Sequence, residues 1–252
     1  NEFSSIFLYE VKSGEVHRVT SEFTNEGSPC FDDEGKYLFF TSARHFNHTL
    51  GGFDLHTLWT NQDGIFLVTL RKDVPHPFPP ESDEVDLKSE DGGDKADKEE
   101  KGEKDEKDGT DEKPKEPLRV DLECLMDRIV DLDVTAGNYG GLSFTSGKLF
   151  FVSHPFVAGG SRDDDDDDDA RPAASLQVFV MEDREQKAVL EKIDGYELSA
   201  DGKKILYEHE GKLGIVDAEA DQKPAEKPLR TDEMKALVDP RGGGIPGSSG
   251  RR

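Results

Sequence analysis

The sequence has little of what membrane spans, disulfide frameworks and helical domains are built from. No apolar run reaches the roughly 18 residues that a membrane-spanning helix needs, and Asn1 begins no signal-peptide pattern. The two cysteines, Cys30 and Cys124, form no spaced motif, a usage typical of a reducing compartment. We also find no amphipathic helix of ordinary length. We therefore expect a cytoplasmic protein with no membrane partner.

Negative charge is abundant, but two stretches hold most of it. Residues 81–117 contain 17 acidic and 8 basic side chains, and residues 163–169 are seven consecutive aspartates. Together these stretches account for 16 of the 24 net negative charges. Such a composition repels nucleic acid and anionic membranes, which excludes both as partners. We predict that 81–117 and 156–174 are disordered insertions, because they have too little apolar content to offset the entropy of ordering.

A short phrase returns three times along the chain: a polar turn with a Gly-Lys pair, followed by an apolar run. The three pairs are Gly35-Lys36, Gly147-Lys148 and Gly202-Lys203. Each phrase predicts a β-hairpin whose glycine takes a positive φ. A repeated hairpin favours a β-propeller, in which every blade is a four-stranded antiparallel sheet.

The predicted strands suit about three and a half blades. We expect the last two strands of one blade at 6–20, followed by blades at 27–134, 140–193 and 195–240. The fold class is thus all-β, a partial propeller over residues 1–240, with a low-complexity tail at 241–252. Between the second and third strands of the first full blade we predict a polar loop. Ordered chain after the first insertion is predicted to resume at 118–122.

Several segments resemble the second propeller of the tricorn protease family. They are residues 35–42, 65–73, 75–84, 128–130, 137–142 and 229–241. The Gly-Lys hairpin is common to many propellers, whereas the Leu-Arg-Lys-Asp and Pro-Phe-Pro-Pro stretch between 70 and 80 is far more specific. The resemblance extends over residues 5–241 apart from the two acidic insertions.

The resemblance implies a role in peptide degradation. In that family two propellers precede a part that holds a PDZ-like module and a serine-protease centre, and hexameric rings cut short peptides. The seven-bladed second propeller is thought to guide substrate. The present chain corresponds to the C-terminal half of that propeller, so its implied partners are peptide substrates, the remaining blades, the protease domains and further copies of itself. The tail after Arg241 has no family counterpart.

Catalytic residues are not identifiable in this sequence. A serine peptidase needs a nucleophile, a base and oxyanion donors, but there is no Gly-x-Ser-x-Gly elbow. We therefore predict no catalytic, cofactor-binding or metal-binding residue here and no cofactor, and expect substrate access or scaffolding. Two alternatives stay open: a non-enzymatic propeller that binds proteins, and the propeller of a prolyl-oligopeptidase-type hydrolase.

Five features invite other interpretations, and four of them also have a plainer explanation. His45, His48 and His56 with Asp54 suit a zinc site, or a polar loop. Arg44 and His45 could contact peptides at the propeller mouth. The aspartates at 163–169 suit calcium, or a solvated run. Residues 75–80 suit a polyproline ligand, or a stiff exit from a strand. Phe53, Leu58 and Trp59 could cap a channel, but packing between blades is expected.

Overall fold

The computed structural model describes residues 3–50, 57–79, 118–156 and 173–231, and in these ranges nearly all regular structure is β-strand. The strands of the first half are β1 (Phe7–Tyr9), β2 (Val16–Arg18), β3 (Glu26–Phe31), β4 (Tyr37–Ser42), β5 (His48–Leu50), β6 (Thr57–Trp59), β7 (Gly64–Thr69) and β8 (Ile129–Asp131). Those of the second half are β9 (Tyr139–Thr145), β10 (Lys148–Ser153), β11 (Ala174–Val180), β12 (Glu185–Ile193), β13 (Gly195–Leu198), β14 (Lys204–His209) and β15 (Lys212–Asp217). A single turn of 3₁₀ helix, Met126–Arg128, precedes β8.

The strands form antiparallel sheets in which chain neighbours pair. β3-β4-β7-β8 and β9-β10-β11-β12 are four-stranded, β13-β14-β15 is three-stranded, and β1-β2 is a hairpin. Successive four-stranded meanders are the blades of a propeller, so the predicted all-β, partial propeller is confirmed. The hairpin β1-β2 is called the half-blade, and the first, second and third blades are the sheets that begin with β3, β9 and β13.

One detail of the prediction needs correction. The predicted loop between β4 and β7 contains a further hairpin, β5-β6. Residues 118–122, where order is predicted to resume, form no strand, and the Asp121 amide donates to the Leu70 carbonyl at 2.8 Å. The third blade has three strands within the described residues, although the Leu229 amide donates to the Leu213 carbonyl at 2.8 Å beside β15.

The acidic insertions and the tail fall almost entirely outside the described residues. Their predicted disorder and the domain limit at residue 240 therefore stay predictions. The second insertion ends slightly before the predicted limit, since β11 already begins at Ala174. No helix in the described part of the chain is long and apolar enough to cross a membrane.

The three Gly-Lys turns have the predicted backbone. Gly35, Gly147 and Gly202 have φ angles of 67°, 76° and 68°. An L side chain is strained in this region, which is why glycine recurs at this position of the hairpin. The turns also meet one another: the Ser146 amide donates to Asp33 Oδ2 at 2.7 Å, and a Cβ atom at Gly202 would collide with Thr145 beside the second turn. Consequently the three turns lie at one end of the sheets, here called the Gly-Lys end.

Side-chain alternation along the second strand of each blade builds the layers between blades. In β4, Leu38 and Phe40 pack against the half-blade, while Phe39 packs against the second blade. In β10, Phe150 faces the third blade and Phe151 faces the first. Each of these five side chains is at most 1% exposed. Because successive strand residues point to opposite faces, an uninterrupted apolar run belongs in a sheet covered on both sides.

The two outermost faces have no neighbour among the described residues. Phe7, Tyr9 and Val16 on the half-blade are 49%, 63% and 60% exposed. Leu206 and Ile215, which are direct cross-strand partners in the third blade, are 37% and 46% exposed. The chain therefore buries its internal inter-blade layers and leaves apolar side chains on both flanks.

Arg128 fixes the chain where it returns from the first insertion. Its guanidinium Nε donates to the Thr69 carbonyl at 2.9 Å and Nη1 to the Glu123 carbonyl at 2.7 Å. Nη2 donates to the carbonyl of Asp121 and lies 3.4 Å from that of Leu70. The planar fork of arginine can serve several acceptors in this way, so one side chain joins the end of β7 to the returning segment.

Candidate functional site

The candidate site lies on the first strands of the three blades. β3, β9 and β13 each stand at one edge of their sheet, and β3 lies against β9. In a propeller the blades surround a central channel. We refer to these three strands together as the inner wall.

Bulges shape the inner wall at equivalent places in two blades. The pairing of β3 shifts between Gly27 and Cys30, where Ser28 has a φ of 49°. The pairing of β9 shifts between the partners of Phe150 and Val152, beside Gly141. A bulge leaves its extra residue outside the ladder and re-aims its polar groups. Here those groups turn toward the neighbouring blade.

A continuous set of hydrogen bonds joins the inner wall across three blades. The Gly141 amide donates to Ser28 Oγ at 3.2 Å, and the Gly141 carbonyl accepts from the Tyr196 hydroxyl at 2.6 Å. The same hydroxyl lies 3.1 Å from the Phe150 carbonyl. Burial raises the pKa of Tyr196 well above its usual range, so the phenol stays protonated and donates.

At the end opposite the Gly-Lys turns, polar bonds join the first two blades. Asp63 and Gly137 exchange backbone hydrogen bonds of 2.9 Å. The Tyr139 amide donates to Asp63 Oδ2 at 3.2 Å. Burial raises the pKa of Asp63 above its ordinary value, and the bond from the Tyr139 amide partly opposes this shift. The carboxylate thus belongs to the joint between blades.

The structure places Arg44 in an ion pair beside the start of β3. Its Nη2 lies 3.2 Å from Glu26 Oε1, and its guanidinium stands 5.6 Å and 5.1 Å from the ring centres of Phe40 and Phe66. Thr24 Oγ1 also donates to Glu26 Oε1, at 2.6 Å. Because the Glu26 side chain is fully buried, its partner Arg44 is held over the blade rather than extended into the channel.

The histidines considered as a metal site lie on different elements. His45 packs on Phe66, with Nε2 at 3.8 Å from Asp131 Oδ2. His48 is in β5, beside Trp59. His56 and Asp54 lie outside the described residues, as do the aspartates at 163–169.

A different trio has metal-capable atoms close together. Glu10, Glu15 and His17 have ligand atoms within 4.8 Å of one another in the half-blade. Both glutamates are exposed and His17 is only partly buried. Exposed acidic groups of this kind are common on protein surfaces without a metal, so we assign no metal site to these three residues.

Trp59 is not packed between blades, contrary to the sequence-based expectation. It lies in β6 and is 47% exposed. Its ring makes an edge contact with Phe46 at 4.6 Å between centroids, and Phe46 is 75% exposed. The hairpin β5-β6 stands outside the blade meander, which removes Trp59 from the inter-blade layers. Phe53 and the side chain of Leu58 lie outside the described residues.

Residues 75–79 pack as part of the fold. Phe78 packs edge-on against Phe179 at 6.2 Å between ring centroids, and the Arg184 guanidinium stands 5.2 Å from the Phe78 ring centre. Arg184 Nη2 also donates to the Pro79 carbonyl at 3.5 Å. The segment therefore covers the layer between the first two blades after the chain leaves β7.

At two places in the inner wall the sequence itself indicates a bulge or a close backbone contact, which the alternation of apolar residues does not reveal. A proline inside a strand pattern marks an edge strand or a bulge, and Pro29 follows Ser28 in β3. The Gly140-Gly141 pair marks a close approach of backbones in the same way. Tyr196 has no such signal, because its acceptors are backbone carbonyls in another blade.

No serine hydroxyl in the described ranges donates a hydrogen bond to a histidine, so the described geometry contains no serine–histidine pair.

The three blades and their inner wall define the class of the molecule, which is a partial β-propeller. The sequence profile described as "Tricorn protease second beta propeller domain" matches residues 1–219. The chain belongs to this family.

Individual relatives agree with the family match. The chain is 28% identical over 191 residues to Tricorn protease homolog 1 of Streptomyces coelicolor, covering 75% of this chain and 16% of the relative. It is 24% identical over 194 residues to the Tricorn protease homolog of Saccharolobus solfataricus, covering 77% of this chain and 15% of the relative. A crystal structure of the tricorn protease superposes with a TM-score of 0.61 at 18% identity, over 89% of this chain and 20% of that one. This last likeness bears on the fold alone.

Proposed function

We propose that the chain is the propeller segment of a tricorn-like serine peptidase that degrades peptides, and that it contributes substrate access and scaffolding rather than chemistry. The observation that supports this proposal is the match of residues 1–219 to the second propeller of the tricorn protease. Because the chain spans only 15–16% of the length of the relatives it matches, the chemistry would lie elsewhere in the full-length protein.

The inner wall supports a role in access. At four positions of the wall the residue is small, so no long side chain projects there: Ser28, Gly140, Gly141 and Gly195. A Cβ atom at Gly195 would meet nothing within 4 Å. The hydrogen bonds through Gly141 hold neighbouring blades at a fixed spacing. Small residues at these four positions leave room for an extended chain to pass along the wall.

The same family relation supports the partners that we propose. These are the remaining blades of the propeller, the protease domains and further copies of the protein in a hexameric ring. A cytoplasmic location is proposed on the same basis, together with the cysteine usage.

A chimera tests the proposed function. The matching propeller segment of the Streptomyces coelicolor homolog is replaced by this chain, and hydrolysis of fluorogenic peptides is measured. We expect turnover by the chimera and none by this chain alone. Gly195→Trp in the inner wall should raise the KM for long peptides more than for tripeptides. The matched control is Ala188→Trp, because Ala188 is exposed on the outermost strand β12.

Two results would overturn the proposal. Turnover by the isolated chain that a serine-directed inhibitor abolishes would place chemistry within it. A folded chimera in which Gly195→Trp and Ala188→Trp behave alike for peptides of every length would remove the role in access.

A further inference from the structure

A pocket opens at the Gly-Lys end, between the first and second blades. The first two Gly-Lys turns, Pro77 and the turn after β11 line it. Its volume is about 470 Å³, within the range of roughly 300–1,000 Å³ that is usual for small-ligand sites. It lies apart from the hydrogen-bonded centre of the inner wall and from the exposed flanks.

The floor of the pocket is apolar and rigidly held. Tyr37, Phe144 and Met181 all pack against the buried layer between the two blades. Phe144 stacks on the fully buried Phe39 at 5.1 Å between ring centres, and Tyr37 lies 6.3 Å from the same ring. Aromatic rings fixed by a packed layer present a preformed surface, so a ligand would lose little free energy to rearranging it.

The rim of the pocket is strongly acidic. Four carboxylates line it, against the single ammonium of Lys36, which is already paired with Glu34. Asp32 Oδ1 accepts the Lys36 and Tyr37 amides at 2.7 and 2.9 Å, and Asp33 Oδ2 accepts the Ser146 amide. These bonds fix two carboxylates in place while leaving each with a second oxygen. Glu182, the fourth, bonds to no residue that the structure describes.

We propose that this pocket binds the cationic side chain of an arginine or lysine residue in a peptide. Such a side chain combines an apolar stem with a charged head, matching the apolar floor and the acidic rim. A guanidinium also gains from lying over an aromatic ring, and Tyr37 and Phe144 both supply one. The formal net charge of −24 on the chain favours the approach of cationic peptides.

The proposal goes beyond substrate access and does not depend on it, since the site would select basic peptides whatever their later fate. It also separates the roles of the two ends of the blades. The polar joint around Asp63 serves cohesion between blades, whereas the Gly-Lys end offers a concave site.

Binding of two matched peptides to the full chain provides the test. The probes are fluorescently labelled, blocked Gly-Arg-Gly and its citrulline analogue, which has nearly the same shape without the charge. We expect the arginine peptide to bind at least about fivefold more tightly. Glu182→Lys should weaken its binding about tenfold, with a smaller loss for Glu182→Gln. Glu191→Lys, which makes the same charge change on an exposed position of β12, should leave binding unchanged.

Glu182 is exposed and makes no described bond, so its replacement should preserve folding, and a thermal unfolding curve checks this. Equal binding of the arginine and citrulline peptides would overturn the proposal, as would binding of neither. Equal losses for Glu182→Lys and Glu191→Lys would overturn it too, because attraction would then come from the acidic surface as a whole.

Discussion

At the scale of single residues, two side chains stabilise the fold by bonds to backbone carbonyls distant in sequence. Arg128 joins the end of β7 to the segment that returns after the first insertion. Tyr196 joins the third blade to the second. Hydrogen bonds from a charged donor contribute more than those from a neutral one, so the two residues should differ in how much stability they provide.

We predict that Arg128→Lys lowers the free energy of unfolding by about 2 kcal/mol, because a single ammonium cannot serve carbonyls spread around a planar fork. Denaturant unfolding measures the change. Arg119→Lys is the control, since Arg119 is mostly exposed and pairs only with Asp121 among the described residues, and it should change stability by less than about 0.5 kcal/mol. Equal effects of the two substitutions would contradict this role of Arg128.

Tyr196→Phe should lower the free energy of unfolding by about 1 kcal/mol near neutral pH. The raised pKa of Tyr196 also gives a pH signature. An unfolded tyrosine loses its proton near pH 10, whereas the folded one keeps it, so this part of the stability is lost as pH rises above about 10. The difference between wild type and Tyr196→Phe should therefore shrink above that pH. A difference that stays constant up to about pH 11, in unfolding curves at matched salt, would show that the phenol is not protected.

At the scale of elements, the pattern of apolar residues and the positions of turn residues decide where strands begin and end. β4 and β10 begin directly after Gly-Lys turns, as the repeated phrase predicts, because an apolar run after such a turn leaves little freedom in where a strand begins. The hairpin β5-β6 is not predictable in this way, since three-residue strands among histidines and glycines give no clear alternation.

The insertions should be dispensable for stability. Deletion of residues 85–116 and 163–169 is expected to leave the melting temperature nearly unchanged, because loop length affects stability only weakly and the composition disfavours packing. Phe78→Ala is the contrasting change: it removes the contact with Phe179 at the edge of the first insertion. We expect it to cost about 2 kcal/mol. If the deletions lowered the melting temperature by more than about 8 °C, the insertions would have to pack on the blades.

At the scale of the whole molecule, apolar side chains of the second strands fill the layers between blades. They are Leu38, Phe40, Phe150, Val152, Ile205 and Tyr207. The unpaired flanks carry other side chains, chiefly Phe7 and Tyr9 on the half-blade and Leu206 and Ile215 on the third blade. Exposed apolar faces of this kind usually mark surfaces that another partner covers.

The isolated chain should consequently self-associate or bind a hydrophobic dye. The double variant Phe7→Glu with Ile215→Lys should reduce both effects, because it places a charge on each flank. Glu191→Lys, a charge change at an exposed position of β12 in the second blade, is the control and should have little effect. Sedimentation velocity and dye fluorescence measure the outcome. A monomeric wild-type chain with cooperative unfolding and no dye uptake would mean that the flanks need no partner.

The sequence by itself determined the strand-rich class, the repeated hairpin and the family. These follow from local rules: glycine permits the positive φ of each turn, and continuous apolar runs require a sheet covered on both faces. Only the tertiary structure decided which residues meet across blades. The Ser28–Gly141–Tyr196 bonds, the fork of Arg128 and the acid-rimmed pocket join positions dozens of residues apart. Such contacts depend on the angle and spacing of neighbouring blades, which no local pattern in the chain specifies.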